Sequence, residues 1–165
     1  MGMDVFGKNP TSETGTYFRA NVWWWRPLAE FVAEAHPDLT APCVYWQTND
    51  GDGLSAEGAR ALAAALDRDL TSGVVEQAAQ ARAAYIAGLP FVECDLCGGS
   101  GLRTDALGLE RGMNVPRDPV TGKGGCNGCA GSGKHAAFET HYRFDAEIVR
   151  DFAAFLRDSG GFEIW

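Results

Sequence analysis

The sequence contains neither a long apolar run nor a recognisable export signal. A membrane-spanning helix needs roughly 18 or more consecutive apolar residues, and the chain has no such stretch. The opening segment, Met1 to Val5, lacks the basic and apolar regions of a secretory signal peptide. We therefore expect a cytoplasmic protein with no membrane partner, whose cysteines stay reduced and are available to a metal ion.

Positive charge is also scarce. The chain has 14 Lys and Arg residues against 22 Asp and Glu residues, and its net charge is −8. Proteins that bind nucleic acids normally present a basic face. The glycine-rich segment 94–134 does not supply one, because its basic side chains outnumber its acidic ones by only one. We expect no nucleic-acid partner.

Several catalytic motifs are missing as well. The sequence has no P-loop, no G-x-S-x-G elbow, no dinucleotide-binding fingerprint and no H-E-x-x-H pair. No nucleophile can be matched with a general base. Catalytic residues are therefore unknown at this stage, and the sequence favours a non-enzymatic role while leaving enzymatic activity open.

Apolar periodicity predicts four helices and one extended segment. Alternation over 17–26 indicates a strand, and Pro27 then suits the first position of a helix that ends before Pro37. Ser55 is a suitable N-cap for a second helix that ends at Gly73, and a third helix follows over 74–87. Asp145 caps the last helix, which Gly160 and Gly161 end.

These elements predict a mainly α fold with short strands, of the α+β class. The length of 165 residues suits one domain that carries an insertion. We assign 1–90 and 135–165 to that domain. The insertion, 91–134, is loop-rich, holds 11 of the 21 glycines and has a possible β-hairpin at its tip.

Two short segments of the insertion follow one template, C-x-x-C-x-G-x-G. They run from Cys94 to Gly101 and from Cys126 to Gly133. Two residues between paired cysteines let both sulfurs reach one ion, and four thiolates complete a tetrahedral structural zinc site. The sequence therefore predicts one structural Zn²⁺ per chain and no other cofactor, with the ligands Cys94, Cys97, Cys126 and Cys129. Cys43 is expected to be a buried free thiol.

The repeated C-x-x-C-x-G-x-G template resembles the zinc-binding region of DnaJ-type chaperones. The match covers about a quarter of the chain and includes every Cys and Gly of the template. The chain has two repeats where that family has four, so the resemblance implies at most one zinc site. Over its whole length the chain is similar to uncharacterised bacterial and phage proteins with a Trp23-Trp24-Trp25-Arg26-Pro27-Leu28 block, a similarity that implies no activity.

His36-Pro37-Asp38 spells the tripeptide with which J-domains stimulate Hsp70 chaperones. Its surroundings differ from those of a J-domain, because the preceding helix carries Glu30 and Glu34 where J-domains are basic. The simpler interpretation is a helix that ends at His-Pro.

A cluster of aromatic and polar side chains near the N-terminus is the best candidate for a recognition surface. Trp side chains interleaved with Arg and Asn suit a planar or phosphorylated ligand or a protein partner. The candidates are Arg19, Asn21, Trp23, Trp25 and Arg26. Core packing is the alternative for at least two of the tryptophans in this segment.

Two further groups are weaker candidates. Asp50 and Asp52 precede a helix N-terminus, where they could handle an ion or simply form a turn. Alternation would place Glu139, His141 and Arg143 on one face of a strand, where they could do acid–base work or form a solvated surface.

The sequence leaves three functions open. The favoured one is a cytoplasmic, zinc-stabilised interaction or regulatory protein that binds a protein partner. The second is a small-ligand-binding protein or enzyme that uses the Trp/Arg/Asn cluster with His141. The third is an Hsp70 co-chaperone.

Overall fold

The computed structural model describes residues 2–165, and its contacts divide the chain into two units. The first contains the chain up to Ala87 and from His141 to Trp165, and the second is Gly88–Thr140. The predicted insertion, 91–134, lies inside the second unit. The described chain is mixed, with six α-helices and small antiparallel sheets, which agrees with the predicted α+β class.

The first unit is built on a four-stranded antiparallel sheet. Its strands are β1 (Gly2–Gly7), β2 (Tyr17–Asn21), β3 (Asp52–Leu54) and β6 (Phe162–Ile164), in the order β2-β1-β6-β3. Val5 of β1 lies opposite Phe18 on one side and Ile164 on the other. Alternation places the core residues on one face of the sheet, and these are Met3, Val5, Phe18, Ala20, Leu54, Phe162 and Ile164.

Helices supply the rest of this core. They are α1 (Val22–Ala35), α2 (Pro37–Thr40), α3 (Ala56–Ser72), α4 (Val74–Gly88) and α6 (Ala146–Asp158). The predicted ends of α3 and the start of α6 are confirmed. Ser55 Oγ accepts from Gly58 N–H, Gly73 ends α3 in a left-handed conformation, and Asp145 accepts from Ile148 N–H. Phe152 and Phe155 of α6 stack on each other and contact Phe18 of the sheet.

The predicted strand over 17–26 is wrong beyond Asn21. Helix α1 begins at Val22, and Pro27 lies inside it instead of at its start. The side chains of Trp25, Leu28, Ala29 and Val32 are all buried, and their spacing is that of one helix face. Burial of Trp25 with that face is the physical reason why the helix starts five residues earlier than predicted.

The second unit has little regular structure. Strand β4 (Val92–Glu93) pairs with β5 (Lys134–His135), and a short helix, α5 (Ala106–Glu110), lies between the two cysteine pairs. The predicted hairpin at the tip is therefore wrong within the described residues, since the strands pair at the base of the module. The segment that follows α5 turns instead through hydrogen bonds such as Asp118 N–H to Lys123 O.

Candidate metal centre

The two cysteine templates fold into the same local structure. In each, a serine, Ser100 or Ser132, directly precedes the last glycine of the template. Its hydroxyl donates to the carbonyl of the second cysteine, and both distances are 2.7 Å. The serine amides donate to the same carbonyls. These bonds close a tight turn around each Cys-x-x-Cys pair, so the sequence repeat is a structural repeat.

Each half-site also completes the other. The amide of Cys94 donates to Gly133 O at 3.0 Å, and the amide of Cys126 donates to Gly101 O at 2.7 Å. The first cysteine of each template is thus held by the last glycine of the other. This reciprocal pairing, together with the β4–β5 ladder beside it, brings the two cysteine pairs to one point.

Glycine is required where the half-sites meet. Gly101 and Gly133 have φ values of +74° and +78°, a region that other residues rarely adopt. A Cβ at Gly101 would overlap the carbonyl of Gly131, and a Cβ at Gly133 would overlap the carbonyl of Gly99. The glycines therefore let the two backbones approach closely enough for the thiols to converge.

The sulfur positions fit a tetrahedral ion. Cys94 Sγ lies 3.9 Å from Cys126 Sγ, and Cys97 Sγ lies 3.8 Å from Cys129 Sγ. All four sulfurs lie within 4.8 Å of one another. Ligands at a Zn–S distance of about 2.3 Å in a tetrahedron are separated by about 3.8 Å, whereas a disulfide requires about 2.05 Å. The cluster can hold a metal ion, as the sequence predicts, and Cys43 lies outside it as a buried free thiol.

The surroundings shift the pKa values of two of the thiols in opposite directions. Burial raises the pKa of Cys94 to about 11. Burial opposes ionisation of Cys129 too, but the amide of Gly133 donates to its Sγ at 3.2 Å, and with the neighbouring groups this lowers its pKa to about 7. A thiolate at Cys129 is thus stabilised by the backbone of its own template.

Arg103 supports the second half-site, a role that sequence reasoning missed. Its guanidinium binds both carboxylate oxygens of Asp105 and donates to the side-chain oxygen of Asn127 at 2.9 Å. Asn127 lies between Cys126 and Cys129, so Arg103 orients the turn that carries two of the thiols. The Arg-x-Asp spacing was visible in the sequence, but its contact with Asn127 depends on the fold.

The predicted recognition surface divides into separate places. Trp25 is fully buried and donates through Nε1 to Trp46 O at 2.6 Å, so its inclusion in a surface is wrong. Asn21 caps α1 by accepting from the amides of Trp23 and Trp24. Arg19 lies 3.6 Å from Asp4. Two of the five candidates therefore have structural partners on the sheet and helix, and one belongs to the core.

Trp23 meets His141, and both Trp23 and Arg26 contact the neighbouring Tyr142. The ring centroids of Trp23 and His141 are 5.0 Å apart, and Trp23 also contacts Tyr142 at 5.2 Å. The Arg26 guanidinium lies over the Tyr142 ring and donates to its hydroxyl at 3.2 Å. The predicted strand at 139–143 is wrong, because Phe138–His141 forms a turn of 3₁₀ helix. Strand alternation therefore does not bring Glu139, His141 and Arg143 to one face.

Arg19 and Asn21 line a different pocket. It has a volume of about 260 Å³, and its other walls are Ala20, Trp24 and residues of the α6 start, namely Asp145, Glu147, Ile148 and Asp151. His141 is not among its lining residues. The structure therefore does not bring Arg19, Asn21 and His141 into one pocket.

Asp52 has a structural role in its loop. One carboxylate oxygen accepts from the amides of Val44 and Tyr45 at 2.7 and 2.8 Å, and the other accepts from Gly53 N–H. Asp50 is exposed to solvent. The turn interpretation of this loop explains Asp52 fully.

His36 is also engaged. Its Nε2 lies 2.6 Å from a carboxylate oxygen of Asp69 on α3, and both side chains are largely buried. The helix does end at His36, with α2 beginning at Pro37. His36 is therefore engaged within its own unit, whereas Pro37 and Asp38 are exposed.

Comparisons of the chain with protein-family models, with curated proteins and with solved structures returned no match. Within residues 2–165, no helix is both long enough and apolar enough to cross a membrane.

Proposed function

We propose that the second unit binds one Zn²⁺ through Cys94, Cys97, Cys126 and Cys129, and that the ion is structural. The convergence of four thiols at tetrahedral spacing supports this most directly. Four sulfur ligands in a tetrahedron are typical of zinc or of iron–sulfur sites, and four protein ligands leave no open position for a substrate. The resemblance to DnaJ-type zinc regions supports the same assignment.

We propose further that this protein is a zinc-stabilised interaction protein of the cytoplasm, where its thiols stay reduced. The second unit exposes several large apolar side chains, which are typical of surfaces that bind other proteins. The most exposed are Phe91, Leu96, Leu109, Val120 and Phe138. Leu96 lies between the cysteines of the first half-site, so folding around the metal presents it to solvent.

Metal analysis of the purified protein tests the zinc assignment. We expect one zinc per chain, and we expect Cys126→Ser to lose it because only three thiols remain. Cys43→Ser is the matched control and should retain the metal, since Cys43 lies in the other unit. Two metals per chain, bound iron, or loss of zinc from Cys43→Ser would contradict the assignment.

A second candidate, binding of a small ligand by the first unit, is supported by the pocket beside Trp24. An indole face, a guanidinium and three carboxylates around about 260 Å³ suit a small ligand that carries a positive group. Nuclear magnetic resonance with a library of small amines tests this. Shifts of the Trp24 indole that disappear in Glu147→Gln would support it, and no shift for any compound would remove this candidate.

A further inference from the structure

The second unit contains an open hollow whose charges differ from those of the rest of the chain. Its volume is about 960 Å³, within the usual range of small-molecule sites. Three cationic side chains line it, Arg111, Arg117 and Lys123, together with one carboxylate, Asp118. The lining therefore carries a formal charge of +2, whereas the whole chain carries −8.

The three cations have no partner within residues 2–165. None of them takes part in an ion pair or a side-chain hydrogen bond as a donor. Arg103 of the same unit is different, because Asp105 binds it through both oxygens. Asp118 is also committed, since one of its oxygens accepts from the amides of Val120 and Thr121. The hollow thus has cationic groups available and little internal neutralisation.

Arg117 is held by the metal-binding template itself. A Cβ built at Gly125 would lie 2.9 Å from Arg117 Cβ, and one built at Gly131 would lie 3.0 Å from it. These glycines flank Cys126 and Cys129, so the stem of Arg117 packs where the second half-site has no side chains. Folding of the second half-site therefore positions the aliphatic stem of Arg117 beside the hollow before any ligand arrives, which reduces the entropy cost of binding.

We propose that this hollow binds a compact polyphosphate, a ligand with two or three linked phosphates on a small organic body. Guanidinium and ammonium groups are the side chains that proteins use for phosphate oxygens. Met113, Val115 and Pro116 supply an apolar wall for the organic part. A long nucleic acid fits less well, because the net charge of −8 repels an extended polyanion that reaches beyond the hollow.

This inference goes beyond the interaction role and rests on the proposed metal site only because folding there positions Arg117. The experiment is calorimetric titration of the full-length, metal-loaded protein with tripolyphosphate, ATP and inorganic phosphate. We expect one site per chain, weaker binding at higher salt, and tighter binding of tripolyphosphate and ATP than of phosphate. Metal content is measured after each titration, so that removal of the metal by the phosphates is not mistaken for binding.

Variants locate the site. Arg117→Gln and Lys123→Gln should each weaken ATP binding about tenfold, the loss expected for one charge-assisted contact. Arg150→Gln, which changes an exposed arginine of α6 in the first unit, is the matched control and should bind as the parent does. If the variants retain their zinc, the metal proposal stands whatever the ligand result.

Two results would overturn the proposal. One is the absence of tripolyphosphate and ATP binding by protein that holds its metal. The other is binding that Arg117→Gln and Lys123→Gln leave unchanged. The titration is also carried out with a short single-stranded oligonucleotide. If the oligonucleotide binds through these side chains and neither compact ligand does, the assignment of a compact polyphosphate as the ligand is wrong.

Discussion

At the scale of single residues, the backbone of the cysteine templates explains which positions tolerate a side chain. Ala130 is the only residue other than glycine with positive φ among residues 2–165, and its φ is +51°. The matching position in the first half-site is Gly98, with a φ of +52°. A Cβ at Gly98 would meet nothing within 4 Å. The free-energy cost of a side chain at either position therefore comes from strain in the left-handed backbone.

Ala130→Gly should therefore stabilise the second unit by about 1 kcal/mol, because glycine adopts the left-handed conformation without strain. Gly98→Ala is the reverse change at the equivalent position and should destabilise it by a similar amount. Hydrogen exchange of the Cys126 and Cys94 amides in metal-loaded protein measures the stability change in both variants. Faster exchange in Ala130→Gly would contradict the account.

Asp52 shows how one side chain organises a loop. Its hydrogen bond with the Tyr45 amide is the main cause that holds the pKa of its carboxyl below the usual range, and the amides of Gly53 and Val44 add to this. A carboxyl whose pKa is lower in the folded state stabilises that state above its unfolded pKa. The stabilisation is lost as the pH falls through the folded pKa.

Asp52→Asn should lower the free energy of unfolding at neutral pH by about 1–2 kcal/mol, since the amides lose a charged acceptor. The difference between parent and variant should shrink below about pH 4, where Asp in the unfolded chain is protonated. Urea unfolding at several pH values measures this. Asp50→Asn changes the exposed neighbour and should leave stability unchanged, and a constant difference down to pH 2 would count against the explanation.

At the scale of elements, the start of α1 depends on Asn21. Its side-chain oxygen accepts from the amides of Trp23 and Trp24 at 3.0 and 3.3 Å. The sequence pattern assigns Asn21 to a strand through the alternation over 17–26, and to a recognition surface because Arg and Asn are interleaved with Trp side chains there. The buried positions Trp25, Leu28, Ala29 and Val32 follow helical spacing, and that signal was available in the sequence.

Asn21→Ala should destabilise the first unit by about 1 kcal/mol through loss of the cap. Asn21→Asp retains a capping oxygen and should remain close to the parent. Urea unfolding followed by tryptophan fluorescence distinguishes them. Equal losses in both variants would mean that the side chain acts through some contact other than the cap.

At the scale of the whole molecule, the two units rely on different sources of stability. The first buries an extensive apolar core around Trp25, Phe152 and Phe162. The buried cluster that contains the metal site consists of cysteines alone, with Cys97 at its edge. Because so little apolar surface is buried beside those thiols, we expect the stability of the second unit to depend on a bound ion and that of the first not to.

Removal of the metal by a chelator should therefore unfold the second unit and spare the first. Structural zinc contributes on the order of 10 kcal/mol to such small sites. Hydrogen exchange should show loss of protection at the amides of Cys94 and Cys126, while those of α3 and α6 remain protected. Loss of protection in α3 and α6 as well would mean that the two units unfold together.

The sequence by itself determined the features that depend on near neighbours. The Ser55 and Asp145 caps, the left-handed end of α3 at Gly73 and the duplicated Cys-x-x-Cys turns need only residues a few positions apart. The convergence of the four thiols was predictable too, because the template occurs twice. Local hydrogen bonds and backbone preferences act within such short segments, so their outcome can be read without the rest of the fold.

Only the tertiary structure decided which distant residues meet. The pairing of β1 with β6, the burial of Trp25 against Trp46 and the contact of His36 with Asp69 join segments far apart in the chain. The cationic hollow of the second unit is different, because all its lining residues lie between Arg111 and Asn127. Contacts between distant segments depend on the order of strands and the packing of helices, which local sequence patterns do not specify.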